Sequence, residues 1–156
     1  MQEHLQIAHI EYSIQTKSID IFTVGCNGFC VGCCNPEIKD WNLGGISVDE
    51  TIDKVIKLNH RFDSLIDRIF IVGGDPLDGY LKYPNDVTKL LMELGFLEKP
   101  IYLFTRHSIE EVPAEVKKLV QYIKTGAYIP DLTCEDNIQY GIKLATANQK
   151  IYKMGE

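Results

Sequence analysis

The sequence predicts an α/β fold with a mostly parallel β-sheet. Apolar runs of strand length recur along the chain, and segments with the periodicity of amphipathic helices lie between them. The strongest runs cover residues 19–25, 68–74, 101–106 and 120–126, and a weaker one covers residues 150–154. Near-continuous apolarity is typical of strands that are buried on both faces of a parallel sheet. The alternation of strand and helix favours right-handed βαβ connections. Residues 5–14 alternate unevenly and predict an additional strand.

Two of the helical segments carry start signals, and the second also carries a stop signal. Ser47 and Glu50 form a capping box at the start of the first segment, whose apolar positions recur with a period of about 3.6 residues. These positions are Ile52, Val55, Ile56 and Phe62. Asn85 or Asp86 is expected to cap the second helix, and Gly95 is expected to end it. Its apolar positions are Val87, Leu90, Leu91 and Leu94.

Composition narrows the functions that the chain can perform. Its 156 residues suffice for one domain with a substantial core. The 16 Lys and Arg against 22 Asp and Glu give a net charge of −6, which disfavours binding to a nucleic-acid backbone. No apolar run approaches the roughly 18 residues of a membrane span, and no secretory leader opens the sequence. We therefore expect a cytoplasmic protein with reduced thiols that binds neither nucleic acid nor a membrane.

Four of the 5 cysteines lie close together in the stretch GCNGFCVGCCNP. Three thiolates spaced as Cys26-x3-Cys30-x2-Cys33 can converge on one metal centre, and soft sulfur ligands select zinc, copper or an iron–sulfur cluster. A structural zinc site commonly uses two separated ligand pairs, and the sequence has no second pair. Three cysteines suit a 4Fe–4S cluster with one iron left open for a substrate. A zinc knuckle completed by Cys34, Cys134 or a histidine is the alternative, although the histidines form no ligand pattern.

A second unusual loop, Gly-Gly-Asp-Pro, occupies residues 73–76 at the end of the apolar run 68–74. The cysteine stretch likewise begins at the end of the run 19–25. The carboxyl ends of parallel strands meet at one edge of a sheet, where the ligands of α/β proteins bind. We therefore expect the two loops to lie side by side at one ligand site. An ordinary turn is the alternative for residues 73–76, since Gly, Asp and Pro are turn residues.

The combination of these motifs resembles the radical S-adenosylmethionine (SAM) superfamily. Within it, the chain most resembles the small activating proteins of anaerobic ribonucleotide reductase, and the resemblance extends over most of the chain. It is carried by GCNGFCVGCCN with Trp41 beyond it, VGGDPL at 72–77, Phe104 with Thr105, GAYIPDL at 126–132, and ANQ at 147–149. The first two motifs are specific when they occur together, and the later ones gain value from their order.

The resemblance implies a fold, a ligand set and a group of cofactor contacts. The fold would be a partial (βα) barrel with a mostly parallel sheet, formed by a single radical SAM-like domain over residues 1–156. Cys26, Cys30 and Cys33 would bind a 4Fe–4S cluster, whose open iron would hold S-adenosyl-L-methionine. The cofactor contacts would be Gly32, Cys33, Cys34, Gly73, Gly74 and Asp75. No catalytic residue beyond the cluster and the cofactor is implied.

The resemblance also implies a reaction and its partners. Reductive cleavage of SAM would give a 5′-deoxyadenosyl radical, which takes a hydrogen atom from a glycine Cα of a large glycyl-radical enzyme, the anaerobic ribonucleotide reductase. A flavodoxin or a ferredoxin would supply the electron. One alternative is a radical SAM enzyme that acts on a small molecule, such as a 7-deazapurine synthase. Another is a non-catalytic iron–sulfur or zinc binding module.

Overall fold

The computed structural model describes residues 3–28 and 36–155. Four of the predicted site residues fall outside these ranges: Cys30, Gly32, Cys33 and Cys34. Cys26 is the one predicted cluster ligand within the described residues. The described part of the cysteine loop therefore ends at Gly28.

The described residues form eight β-strands, four α-helices and four short 3-10 turns. The strands are β1 Ile7–Ser13, β2 Ser18–Thr23, β3 Arg68–Gly73, β4 Ile101–Phe104, β5 Tyr122–Thr125, β6 Ile138–Gln139, β7 Ile142–Lys143 and β8 Lys150–Lys153. The α-helices are α1 Val48–Phe62, α2 Pro76–Lys82, α3 Pro84–Gly95 and α4 Ala114–Leu119. None of these helices is long and apolar enough to span a bilayer.

Six of the described strands form one sheet in the order β1-β2-β3-β4-β5-β8. β2, β3, β4 and β5 run parallel, with Ile21 opposite Ile71 and Ile71 opposite Leu103. β1 and β8 lie at the two edges and pair antiparallel with β2 and β5. The predicted α/β fold with a mostly parallel sheet is confirmed, and the two edge strands make the sheet mixed.

The connections explain why both edge strands are antiparallel. Residues 14–17 join β1 to β2, and a connection this short reverses the chain direction. Residues 126–149 leave the carboxyl end of β5 and return to the same edge, where Lys150 lies opposite Thr125. β8 therefore runs back along β5. The strands predicted from residues 5–14 and 150–154 are confirmed.

Alternating side chains bury both faces of the central strands. Ile69 and Ile71 of β3 pack against the helices, in a core that includes Leu90 of α3. Phe70, between them, belongs to a second core on the opposite face, with Leu144 from the segment before β8. The near-continuous apolarity of the predicted strands is the sequence signature of this two-sided burial.

Helix α1 begins at its predicted cap, because Ser47 Oγ accepts a hydrogen bond from Glu50 N at 3.1 Å. Its buried residues are Val48, Thr51, Ile52 and Val55. Of the four apolar positions with the predicted helical period, Ile52 and Val55 are buried, whereas Ile56 and Phe62 are 42% and 40% exposed. Positions i, i+3, i+4 and i+7 counted from Val48 face the sheet. Ile56 lies at the border of this face, and Phe62 lies on the same side but is the last residue of the helix.

Helix α3 begins earlier than the sequence analysis expects. Pro84 occupies its first position, where the missing N–H of proline costs nothing. The prediction that Asn85 or Asp86 caps the helix is therefore wrong. The Asp86 carboxylate instead accepts a hydrogen bond from the backbone N–H of Leu5 at 2.8 Å. Gly95 ends the helix as predicted, and all four predicted apolar positions are buried.

Replacing Leu90 with alanine tests the core beneath α3. Leu90 is completely buried, whereas Met92 on the same helix is 53% exposed. We expect Leu90→Ala to lower the free energy of unfolding by about 2–5 kcal/mol, because it removes buried methyl groups and leaves a cavity. Met92→Ala, the matched control, is expected to change it by less than about 0.5 kcal/mol. Urea unfolding measures both, and equal effects would contradict this core.

Candidate functional site

A cavity of about 280 Å³ opens at the edge of the sheet where the parallel strands end. The loops after β2, β3, β4 and β5 and the segment before β8 all contribute to its wall. Residues from these segments include Cys26, Gly73, Asp75, Thr105, Gly126 and Gln149. This is the edge at which α/β proteins bind ligands. The structure thus brings Cys26 together with the Gly-Gly-Asp-Pro loop, as the sequence predicts.

Backbone hydrogen bonds hold the loops after β2 and β3 together. Gly74 N donates to Thr23 O at 2.9 Å, and Asp75 N donates to Gly25 O at 2.8 Å. A Cβ on Gly74 would lie 2.2 Å from the Gly25 carbonyl oxygen, so only glycine permits this approach. The resemblance to the activating proteins implies that Gly74 contacts a cofactor. In the structure, the nearby backbone of Gly25 already requires glycine at position 74.

Asp75 is the buried centre of this edge, with only 2% of its surface exposed. Its Oδ1 accepts hydrogen bonds from Leu77 N at 2.9 Å and Thr105 Oγ1 at 2.8 Å, and its Oδ2 accepts one from Arg106 N at 3.0 Å. The first bond caps α2, and the other two hold the loop after β4. Burial raises the pKa of the Asp75 carboxyl, although these hydrogen bonds oppose the shift. The contact of Asp75 with a cofactor stays a prediction.

Cys26 is a free, half-buried thiol on the cavity wall. Its Sγ accepts a hydrogen bond from Gly28 N at 3.3 Å. Burial raises the pKa of the thiol, while the Gly28 N–H and the Arg106 guanidinium act in the opposite direction. A soft sulfur atom beside a cavity, with an N–H directed at it, fits the first ligand of an iron–sulfur cluster.

A second buried carboxylate, Asp78, faces the cysteine loop from α2 and is 1% exposed. Its Oδ2 accepts hydrogen bonds from Asn27 N at 2.9 Å and Arg106 Nη2 at 3.1 Å. His107 Nε2 lies 2.8 Å from its Oδ1. Burial raises the pKa of Asp78, but the bonds from His107, Asn27 and Arg106 outweigh burial and lower it.

No role is predicted from the sequence for Asp78 or Arg106, and His107 is predicted only to lie outside any ligand pattern. Asp78 follows Asp75 by three residues, which places both at the start of α2. Arg106 and His107 follow β4 at the ligand edge. Charged residues just beyond two neighbouring parallel strands are the signal that could have identified them.

The sulfur of Cys26 and carboxylate oxygens of Asp75 and Asp78 lie within 4.8 Å of one another. A metal ion held by this set would compete with Arg106, whose Nη2 and Nε lie 3.1 Å from Asp78 Oδ2 and 3.7 Å from Asp75 Oδ2. Within the described ranges, neither Cys134 nor a histidine belongs to the set.

The weaker motifs near the C-terminus meet at another part of the cavity wall. Gln149 Nε2 donates to Gly126 O at 3.3 Å, and Asn148 Nδ2 donates to Ala127 O at 3.0 Å. Gly126, Ala127 and Gln149 all line the cavity. The ANQ motif thus supports the start of the GAYIPDL segment, so the two motifs form one structural unit.

Trp41 covers the described start of the cysteine loop. Its Nε1 donates to Asn27 Oδ1 at 3.0 Å. Trp41 also contacts α2, because Lys82 Nζ of this helix lies 4.5 Å from the centre of the indole ring. Trp41 therefore connects the cysteine loop to the helix that follows the Gly-Gly-Asp-Pro loop.

Comparison with known proteins identifies the family. The profile of the family described as 4Fe-4S single cluster domain matches residues 17–135, which include the cysteine loop and strands β2 to β5. The chain belongs to the 4Fe-4S single cluster domain family. This 4Fe-4S single cluster domain is also similar to the anaerobic ribonucleoside-triphosphate reductase-activating protein of Enterobacteria phage T4. The two are 29% identical over 115 residues, which cover 72% of this chain and 71% of the phage protein.

These similarities confirm the predicted resemblance to the activating proteins, and the family supports a 4Fe–4S cluster as the metal centre. The individual ligands Cys26, Cys30 and Cys33 of this 4Fe-4S single cluster domain stay predictions. The same holds for each predicted cofactor contact.

Neutralising Glu111 tests the electrostatics beside the cavity. His107 Nδ1 lies 2.9 Å from Glu111 Oε2. Burial lowers the pKa of His107, but the hydrogen bonds to Asp78 and Glu111 outweigh it and raise the pKa above its ordinary value of 6.5. Protonated His107 therefore adds stability that is present below pH 6.5 and is lost as the pH rises through the folded-state pKa. We expect Glu111→Gln to lower the pKa of His107, measured by proton NMR titration.

Glu110→Gln is the matched control for this titration. It removes an equal charge from an exposed neighbouring residue, and solvent screens an exposed charge. We expect the pKa of His107 to stay close to the wild-type value in this variant. A Glu111→Gln variant in which His107 titrates as in the wild type would contradict the assigned contact.

Proposed function

We propose that this chain is a radical SAM oxidoreductase that activates anaerobic ribonucleotide reductase. One observation carries the proposal: Cys26 and residues 73–75 line the same cavity, in a 4Fe-4S single cluster domain that is similar to an activating protein. We further propose that residues 1–156 form one domain of this type, with the sheet curved as a partial (βα) barrel.

The proposed cluster ligands are Cys26, Cys30 and Cys33, which leave one iron open for SAM. Gly32, Cys33 and Cys34 would add cofactor contacts from the cysteine loop. When bound, the cluster and SAM would use one electron to give methionine and a 5′-deoxyadenosyl radical, which takes one hydrogen atom from a partner glycine Cα and leaves as 5′-deoxyadenosine. A reduced flavodoxin or ferredoxin would supply that electron.

The remaining residues of the cavity would hold and orient the cofactor. The backbone of residues 73–75 would face the amino group of SAM from the wall that adjoins Cys26. Phe22, Val72 and Phe104 give the cavity an apolar portion that suits the adenosyl group. An apolar surface there would also exclude water from a reactive species.

The proposed substrate is a glycine in a loop of the large reductase. The cavity lies at the open edge of the sheet, where the loops after several strands converge. An exposed site of this kind is accessible to a segment of another protein. The phage relative supports the choice of partner by its name.

The direct test of the proposal is SAM cleavage by the reconstituted chain. The protein is loaded anaerobically with iron and sulfide, reduced with dithionite and mixed with SAM, and 5′-deoxyadenosine is quantified by chromatography. We expect 5′-deoxyadenosine to form and the EPR spectrum of the reduced cluster to change when SAM is added. A stable cluster with neither result would contradict the proposal and favour a binding module.

The cysteine ligands can be tested separately. We expect Cys26→Ala, Cys30→Ala and Cys33→Ala each to abolish stable cluster binding, because each removes one of three soft ligands. Cys134→Ala is the matched control and is expected to keep wild-type iron content. Iron per chain and the EPR signal of the reduced protein measure the outcome. Wild-type iron content in Cys30→Ala would refute the proposed ligand set.

A further inference from the structure

Arg106 connects the two buried carboxylates of the site. Its backbone N–H donates to Asp75 Oδ2 at 3.0 Å, and its Nη2 lies 3.1 Å from Asp78 Oδ2. Only 27% of its side chain is exposed. The carboxylate oxygens that hold Arg106 lie in the same group of atoms, within 4.8 Å, as the sulfur of Cys26. Arg106 is thus held beside a proposed cluster ligand.

Gly28 allows Arg106 to lie against the cysteine loop. A Cβ on Gly28 would fall 2.3 Å from Arg106 Nε and 2.4 Å from its Cδ. No side chain fits at position 28 while Arg106 keeps this position, so the Arg106 side chain occupies the space that a larger residue would fill. The Gly28 N–H itself donates to Cys26 Sγ. The loop therefore places its own N–H and the Arg106 side chain close to the same sulfur.

The Nε–H of Arg106 is a buried donor with no hydrogen-bond acceptor within the described residues. A buried donor without an acceptor costs free energy, so such groups usually have a partner. The nearest charged partner, Asp75 Oδ2, lies at 3.7 Å, which is beyond hydrogen-bond distance. The unpaired N–H next to Cys26 indicates that Arg106 has an acceptor when the site is loaded.

We propose that Arg106 is a positioning residue that donates a hydrogen bond to a sulfur of the bound cluster, at or beside Cys26, and thereby raises the reduction potential of the cluster. This inference rests on the proposed iron–sulfur function. Reduction adds negative charge to a cluster, and hydrogen bonds to its sulfur atoms stabilise that charge. A guanidinium is well suited because it stays protonated and presents several donors in a fixed plane.

The two carboxylates have a distinct part in this arrangement. Asp75 and Asp78 hold Arg106 through its backbone and its side chain, and they offset its positive charge. Asp78 is also bonded to His107, whose other ring nitrogen lies beside Glu111. These contacts fix the direction of the guanidinium. Arg106 therefore acts on the cluster through a directed hydrogen bond more than through its net charge.

The test is the reduction potential of the reconstituted cluster, titrated anaerobically without SAM and followed by EPR. We expect Arg106→Gln to shift the reduction equilibrium about tenfold toward the oxidised cluster, which is about 59 mV for one electron. Arg106→Lys keeps the charge but loses the planar donors, and we expect a smaller shift in the same direction. Iron content and thermal unfolding are measured for every variant.

Lys82→Gln is the matched control. Lys82 is an exposed cation that lies over Trp41 beside the same loop, and it is not part of the proposed cluster contact. We expect its removal to change the reduction equilibrium by less than about twofold, because an exposed charge is screened by salt. An equal shift in Lys82→Gln and Arg106→Gln would overturn the proposal of a directed hydrogen bond.

The outcomes separate this inference from the proposed function. A wild-type potential in an Arg106→Gln protein with full iron content would overturn the inference and leave the iron–sulfur assignment intact. If wild-type protein assembles no cluster, the proposed function fails and the inference fails with it. If Arg106→Gln alone loses the cluster, the reduction potential of the Arg106→Lys variant decides. A potential below the wild-type value supports the role of Arg106, and a potential equal to the wild-type value overturns it.

Discussion

The buried carboxylate of Asp75 is the contact on which the edge of the sheet depends. It accepts hydrogen bonds from Leu77 N, Thr105 Oγ1 and Arg106 N, and so joins the end of β3 and the start of α2 to the loop after β4. Without it, these donors would lose their acceptor in a buried place, which is costly. The backbone N–H of Asp75 also donates a hydrogen bond to Gly25 O, which attaches the loop after β2 to the same residue. One side chain and its backbone thus hold together three of the loops that form the cavity.

The alternation of side chains along the parallel strands determines what the cavity can hold. Ile71 of β3 packs beneath the helices, and the next residue, Val72, faces the opposite side and lines the cavity. Phe104 of β4 takes the equivalent position one strand away. The site therefore combines an apolar surface from the strands with a polar rim from the loops, where Cys26 and Arg106 lie. This combination suits a cofactor with an adenosyl group at one end and charged groups near a metal at the other.

Much of the fold could be predicted from the sequence, because the central strands are buried on both faces and are therefore almost continuously apolar. The antiparallel direction of β8 could not, since it depends on where residues 126–149 return to the sheet. The exposure of Ile56 and Phe62 shows the same limit, because periodicity does not reveal how far a helix extends beyond the sheet that it covers. At the site, Cys26 and residues 73–75 belong to local motifs. Asp78 and Arg106 belong to no such motif, and their only sequence signal is a charged residue shortly after each of two neighbouring parallel strands.

The proposed function of this chain is the generation of a radical on another protein. The most direct measurement is the EPR spectrum of the large subunit of an anaerobic ribonucleotide reductase after incubation with the reduced, cluster-loaded chain and SAM. We expect the doublet signal of a glycyl radical, which disappears when SAM or the reductant is omitted. Cleavage of SAM without any radical signal on the reductase would contradict the assignment as its activase.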